Sequence, residues 1–411
     1  MPKITKILLL AISVVLVLTV FLGVNSSGVS AATEGQDGAY RQINVYSEVL
    51  RHIQTDYVEE PNIPTVTNGA LRGLLESLDS DSSYLSPADY KAFKEDRGGK
   101  AQVGLNVSKR WGYATVVSVV PGSPADKANL NDGDIIEAIG TQDTRDISLA
   151  VIRLMLEGTP GSELSLAVVR PRKATPEKIT LTRVVTSVPP VGETMYENSS
   201  ILYLKPGILD HDHVQQVESK LKGMSKAGNK KILLDLRDVA DGENAEAIRM
   251  ANFLLKSGTI VTLEGQKVEK QTFAADASKA INATSPVVVL VNRGTAGPAE
   301  IVAAALMDNK RADVVGEKTF GEGSQQKTFE LPDGAAMILS VAKYQSPSGK
   351  KLEDEGVTPG FLVASNIDDN GPVDEDAAPE TQQQPQETKK PTVTVDEQLN
   401  KALDLLKSKA A

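Results

Sequence analysis

The chain has 411 residues, 40% hydrophobic and 4% aromatic, and 44 basic against 54 acidic side chains give a formal charge of −10 at pH 7. That length suits roughly two to three domains with aliphatic cores, and the acidic balance excludes ordinary nucleic-acid binding, which needs clustered Lys and Arg to displace counterions. The absence of cysteine excludes a disulfide framework, a thiolate nucleophile or metal ligand, and a lipid-modified cysteine.

Lys3 and Lys6 precede an apolar run from Ile7 to Val24, followed by Val29-Ser30-Ala31-Ala32. This is the layout of a secretory signal cut after Ala31. The run also just reaches the length of a membrane span, so residues 1–31 read as a signal peptide or as an uncleaved tether through residues 7–24. Either reading puts the bulk of the chain outside the cytoplasm, in a bacterial periplasm or cell envelope.

Residues 32–98 read as a helical region. Val45, Val49 and Ile53, then Leu71, Leu74, Leu75 and Leu78, recur at helical spacing. The segment Leu78-Asp79-Ser80-Asp81-Ser82-Ser83-Tyr84-Leu85 breaks the second helix, and Ser86-Pro87 starts another with Ser as cap.

Residues 99–185 carry strand patterns at Gln102–Val107, Ala114–Val119, 133–139, Leu164–Val169 and Ile179–Val184, with a helix over Ser148–Leu156. Val103-Gly104-Leu105-Asn106-Val107, Pro121-Gly122-Ser123-Pro124-Ala125 and Gly133-Asp134 resemble a PDZ domain of the bacterial, circularly permuted kind. The resemblance implies a carboxylate-binding loop and ligand edge at Val103, Gly104, Leu105, Asn106 and Val107, where a polypeptide tail would add as an extra strand.

Residues 186–365 alternate strand and helix patterns, as in an α/β core. Strands are expected over Lys231–Leu236, Thr259–Leu263, Pro286–Val291, Asp313–Val315 and Ala336–Val341, and helices over Ala245–Leu255 and Pro298–Met307. The run Pro286–Val291 is continuously apolar, as a strand covered on both faces would be. Residues 366–394, rich in Asp, Glu, Pro and Gln, read as a disordered acidic linker. Residues 395–411 follow as an amphipathic helix with Leu399, Leu403 and Leu406 on one face.

Two segments of the core bear on chemistry. Asn292-Arg293-Gly294-Thr295-Ala296-Gly297-Pro298-Ala299-Glu300 and Thr319-Phe320-Gly321-Glu322-Gly323-Ser324-Gln325-Gln326 resemble the N-x-G-S-A-S-A-S-E and T-F-G-K-G-x-x-Q motifs of the carboxyl-terminal processing peptidases, or tail-specific proteases. The 78–85 segment resembles their L-D-P-H-S-S-Y-L. The resemblance implies an α/β (α+β) peptidase core of the tail-specific protease and crotonase-like kind, with an inserted PDZ domain and an N-terminal helical region. It puts the nucleophile on Gly297, the general base on Glu322, the amide that orients the base on Gln326, and the oxyanion region on Asp241 and Gly242. Glycine has no attacking atom, glutamate reverses the charge of the base, and a carboxylate at Asp241 opposes an oxyanion.

The expectation is therefore an exported, catalytically degenerate member. It would bind polypeptide C-termini or unfolded proteins through its PDZ domain, as adaptor, regulator or partner of an active protease of the same family. An active serine-type endopeptidase with a non-standard nucleophile stays open, since Thr295 and Ser324 carry hydroxyls and Lys318 and Lys327 amines. No cofactor is implied. His211 and His213, flanking Asp212, read as residues of a loop ahead of a helix that cap and hydrate, and no metal site is assigned.

Overall fold

The computed structural model describes residues 30–95, 101–171, 175–365 and 395–409. The apolar run 7–24 and the acidic segment 366–394 lie outside them. Two compact units divide the chain, Met1–Asn68 and Gly69–Ala411. Helix α1 (Ser30–Asp56) belongs to the first, and α2 (Ile63–Glu76) begins there, its first turn closed by Asn62 Oδ1, which accepts from Thr65 N at 3.1 Å. Val45 and Val49, expected on an apolar stripe, are 52% exposed. Among the described residues no helix is long and apolar enough to cross a membrane.

The second unit opens with β1 (Ser83–Leu85) and α3 (Pro87–Lys94). Ser86 caps α3 as its sequence predicts, accepting from Asp89 N, with Pro87 at the first position.

An antiparallel sheet follows, built from β2 (Leu105–Arg110), β3 (Tyr113–Val119), β4 (Ile135–Ile139), β5 (Gln142–Asp143), β6 (Glu163–Val169) and β7 (Glu177–Thr182), in the order β2-β3-β4-β6-β7 with β5 beside β4. The short α4 (Pro124–Lys127) and the helix α5 (Leu149–Leu156) close it. Ile136, Ile152, Leu166 and Val168 are fully buried between sheet and α5. Strand β2 is an edge, and its outer side faces away from β3.

The core contributes β8 (Gly192–Tyr196), β9 (Ile201–Lys205), α6 (His211–Ala227), β10 (Lys231–Asp235), α7 (Asn244–Leu254), β11 (Thr259–Glu264), β12 (Gln271–Ala274), β13 (Val287–Val291), α8 (Pro298–Asp308), β14 (Ala312–Gly316), β15 (Ser324–Glu330), β16 (Ala336–Gln345), β17 (Phe361–Leu362) and α9 (Glu397–Ser408). One sheet runs β17-β14-β13-β10-β9-β8, parallel except at β8. A second, antiparallel, runs β1-β16-β11-β12 with β15 beside β16. Together these elements make the α/β core with an inserted PDZ domain and an N-terminal helical region that the motifs imply.

Strand β13 is buried along its whole length, and its alternation assigns two faces. Val287, Val289 and Val291 join the large core with α7 and α8. Val288 and Leu290 turn the other way, onto Ala402 and Leu406 of α9. That helix is fastened at both ends: Arg237 Nη1 donates to Asp396 at 2.9 Å, and Lys231 Nζ donates to the carbonyls of Leu406 and Lys409 at 2.7 and 2.6 Å, a cation at a helix C-terminus. Leu406 is fully buried. Leu406→Ala is accordingly expected to lower unfolding free energy by about 3 kcal/mol in urea titration.

Candidate active site

Strand β13 ends at Val291 and delivers Asn292 to Gly297 into a turn before α8. Side chains set the turn: Asn292 Oδ1 accepts from Gly294 N at 3.1 Å and from Asp238 N at 3.0 Å, while its amide donates to Asp238 Oδ1 at 2.7 Å. Thr295 is fully buried, its hydroxyl donating to the Leu236 carbonyl at 2.8 Å and accepting from Asn292 N at 3.0 Å. It is a staple of the turn. Lys318 is exposed and lines a different hollow, with Asp308 and Glu355. The Thr295 hydroxyl is thus engaged by backbone groups rather than by Lys318.

Gly297 has φ 54° and ψ −117°, a backbone state that side chains other than glycine rarely adopt. A Cβ added there would meet only the Ala240 carbonyl, at 4.0 Å. The junction thus keeps a strained elbow between strand and helix together with room for a side chain that the residue does not supply. Its N–H donates to Glu300 Oε2 at 2.9 Å.

Glu300 is fully buried and organises both motifs. Its carboxylate accepts from the Thr319 hydroxyl, from Gly321 N at 2.8 Å, from Glu322 N at 2.8 Å and from Gly297 N. Burial pushes its pKa up to about 7, although all four donors favour the charged form.

Glu322 stands in the cavity wall, its side chain 25% exposed. Its Oε1 accepts from Arg153 Nη2 of α5 at 3.3 Å. Burial holds its carboxyl above the usual range, with Asp81 and Asp241 adding to the push and Arg153 opposing it. Gln326 lies in the adjoining hollow with Asp81 and Ser83, its amide donating to the Asp81 carbonyl at 3.4 Å. Ser324 donates its hydroxyl to Asp81 Oδ2 at 2.7 Å. Asp81 is 4% exposed, and burial raises its pKa.

The loop after β10 brings Asp241 and Gly242 to the same place. Gly242 N donates to Asp241 Oδ1 at 2.7 Å. A loop amide that borders the same cavity as the elbow is therefore already engaged by a carboxylate.

In the PDZ loop, Gly104 has φ +82°, and a Cβ there would lie 2.2 Å from Ser123 Cβ. Only glycine fits. Val103, Leu105, Asn106 and Val107 continue from it along the β2 edge. These residues, with Arg153 and Leu156 of α5, share one cavity of about 410 Å³ with Asp241, Gly242, Gly297 and Glu322. The β2 edge and the elbow face a single space, of the size small binding sites commonly have. The PDZ domain is also held to the core by Arg110, which stacks on Phe320 at 4.1 Å, and by Arg293, 3.7 Å from Asp132.

The histidines lie in the first turn of α6, where a loop was expected. Asp210 caps that helix, accepting from His213 N at 2.8 Å and lying 2.7 Å from His213 Nδ1. His213 Nε2 is 3.1 Å from the Pro189 carbonyl, whereas His211 meets Glu246. Two residues apart on a helix point in different directions. Among the described residues, no group of three or more His, Cys, Asp or Glu is arranged to hold a metal ion.

The sequence reading missed Arg153, Asp81 and the carboxylate-on-amide contact at Asp241. Arg153 reads locally as the polar face of an amphipathic helix. Asp81 had a signal, since it stands where the motif resembled has histidine.

An α/β core carrying a PDZ domain whose β2 edge opens onto a strand–turn–helix elbow defines a PDZ-bearing peptidase scaffold. Residues 201–363 match the model of peptidase family S41, and residues 115–170 that of a PDZ domain. The chain is 31% identical over 372 residues to the carboxyl-terminal-processing protease of Synechocystis sp., covering 86% of each chain. It is 34% identical over 300 residues to that of Picosynechococcus sp., covering 72% of each. It is 32% identical over 350 residues to chloroplastic carboxyl-terminal-processing peptidase 2 of Arabidopsis thaliana, covering 80% of this chain and 66% of that one. The solved photosystem II D1 C-terminal processing protease superposes with a TM-score of 0.66 at 25% identity, over 78% of this chain and 92% of that one. The chain belongs to the carboxyl-terminal processing peptidases, peptidase family S41.

Proposed function

We propose that this chain is a catalytically degenerate member of its family that binds C-terminal or unfolded polypeptide segments through its PDZ domain, as an adaptor or regulator of proteolysis outside the cytoplasm. The reading takes Gly297 as the vacated nucleophile position, Glu322 as the replaced base, Gln326 as the surviving orienting amide, and Asp241 and Gly242 as the altered oxyanion region. It divides the chain into an export or anchor segment (1–31), a helical region (32–98), the PDZ domain (99–185), the peptidase core (186–365), an acidic linker (366–394) and a terminal helix (395–411). An active protease of the same family is the natural partner of such an adaptor.

One observation carries the reading: at the elbow facing the cavity, Gly297 offers no side-chain atom. Two others agree with it. Glu322 is paired with Arg153, and the Gly242 amide meets an anion where an oxyanion would need a donor.

The test is incubation of the purified chain with an unfolded protein bearing an apolar C-terminus, beside a Gly297→Ser plus Glu322→Lys variant. The unaltered chain is expected to bind without cutting, and Gly104→Leu to weaken binding at least tenfold by breaking the loop. Cleavage by the unaltered chain sinks the proposal. Serine at position 297 costs about 1–3 kcal/mol of backbone strain, and the open space beside it leaves no clash to add.

A second reading has one observation in its favour. Ser324 borders the cavity and its hydroxyl is bonded to a buried carboxylate, Asp81, which suits an endopeptidase with a non-standard nucleophile. Cleavage by the unaltered chain that disappears in Ser324→Ala would establish it.

A further inference from the structure

We infer that the cavity selects polypeptide tails carrying a lysine or arginine shortly before the C-terminus, with Glu322 and Asp241 as the specificity-determining residues. This rests on the tail-binding reading above and names its ligand class.

The orientation of the β2 edge comes first. Opposite Val107 in β3 stands Val116, whose N–H and carbonyl are bonded on the β4 side, to Asp134 O at 2.8 Å and Gly133 N at 2.9 Å. Neighbouring antiparallel pairs alternate between bonded and non-bonded, so the Val107 amide and carbonyl point to the outer edge, toward α5. The carbonyl there accepts from Arg153 Nε and Nη2 at 3.2 and 3.1 Å. A tail laid along this edge with its carboxylate at the Gly104 loop runs into the cavity that Asp241, Gly297 and Glu322 border.

Charge comes second. Arg153 is the only cation among the residues lining that cavity, against three carboxylates, Glu157, Asp241 and Glu322, a formal balance of −2. Arg153 is itself bound to Val107 O and Glu322, so the charges of Arg153 and Glu322 offset each other within the wall and the excess rests chiefly on Asp241. Asp241 is exposed and Glu322 partly so, which leaves both carboxylates reachable by an incoming ammonium or guanidinium. A concave site with an excess of one sign concentrates ligands of the other and rejects like charge. A basic side chain meets attraction from Asp241, with Glu322 shared between it and Arg153, and an acidic one meets repulsion.

The experiment compares three N-terminally labelled decapeptides, alike except for Lys, Gln or Glu at the third residue from a C-terminal Ala-Ala, by fluorescence anisotropy with the full chain. The lysine peptide is expected to bind up to about fivefold more tightly than the glutamine peptide, and the glutamate peptide more weakly than both. Glu322→Gln and Asp241→Asn should each shrink the Lys-to-Gln ratio toward one, and Glu322→Lys should invert the order of Lys and Glu. Thermal melts of the variants check that they fold. Equal binding of the three peptides, or a ratio untouched by both neutral variants, overturns this inference while leaving tail binding intact. Failure of all three to bind overturns tail binding and this inference together.

Discussion

Replacing Glu300 by alanine is expected to cost about 5 kcal/mol or more, close to the whole stability of many domains. The side chain is fully buried and accepts four hydrogen bonds, from three backbone amides and the Thr319 hydroxyl. Alanine leaves all four donors without that acceptor, and each buried orphan costs about 1–3 kcal/mol. Glu300→Gln keeps one carbonyl oxygen but turns an NH₂ toward two donors, so about half the loss is expected. Urea unfolding ranks the variants. Hydrogen exchange at Gly297, Gly321 and Glu322 locates the damage, since those amides should lose protection first. A Glu300→Ala protein as stable as the parent would contradict the assignment of this carboxylate as the clasp between the two motifs.

Stability is expected to fall as pH rises from about 4.5 to 8, the reverse of ordinary acid denaturation. Glu353 is 5% exposed, and burial, with Asp81 adding to it, raises its pKa to about 8. Burial raises Glu300 to about 7, and holds Asp81 and Glu322 above their usual range as well. Unfolded, these carboxyls titrate near 4. Between the two ranges the folded chain holds more protons than the unfolded one. The stabilisation is complete below the unfolded values and is lost as pH climbs through the folded ones, at up to about 1.4 kcal/mol per pH unit per group. A loss of several kcal/mol across that window should appear in urea titrations at pH values of about 5, 6.5 and 8. Glu353→Gln, which keeps an acceptor for Gly323 N, should flatten the upper part of the slope. A flat profile in the parent would overturn the prediction.

What could be read from the sequence was what depends on local pattern. The run Val287–Val291 announced a strand covered on both faces, because only that environment tolerates five consecutive aliphatic side chains. Ser86-Pro87 announced a helix start. The PDZ and peptidase motifs fixed the order of the units. Contacts between segments distant in the chain were not legible. Nothing local in Leu149–Leu156 says that Arg153 reaches Glu322, and nothing around Gln326 says that its amide meets Asp81. The strand Ser324–Glu330 mixes exposed polar with partly buried residues and was missed, since it is held by its pairing with β16 more than by its own hydrophobic period. The His211–Ala227 helix was recognised only as following the histidines. Its cap, Asp210, placed them inside the first turn.

Helix α9 has a consequence for biosynthesis. Val288 and Leu290 leave the ribosome long before Ala402 and Leu406, the side chains that will cover them. Throughout that interval one face of the central parallel sheet is an uncovered aliphatic surface, of the sort that chaperones recognise and that drives nascent chains to associate. A chain whose translation stalls ahead of Asp396 would keep that surface indefinitely. Docking of this helix is therefore the step that closes that face of the sheet.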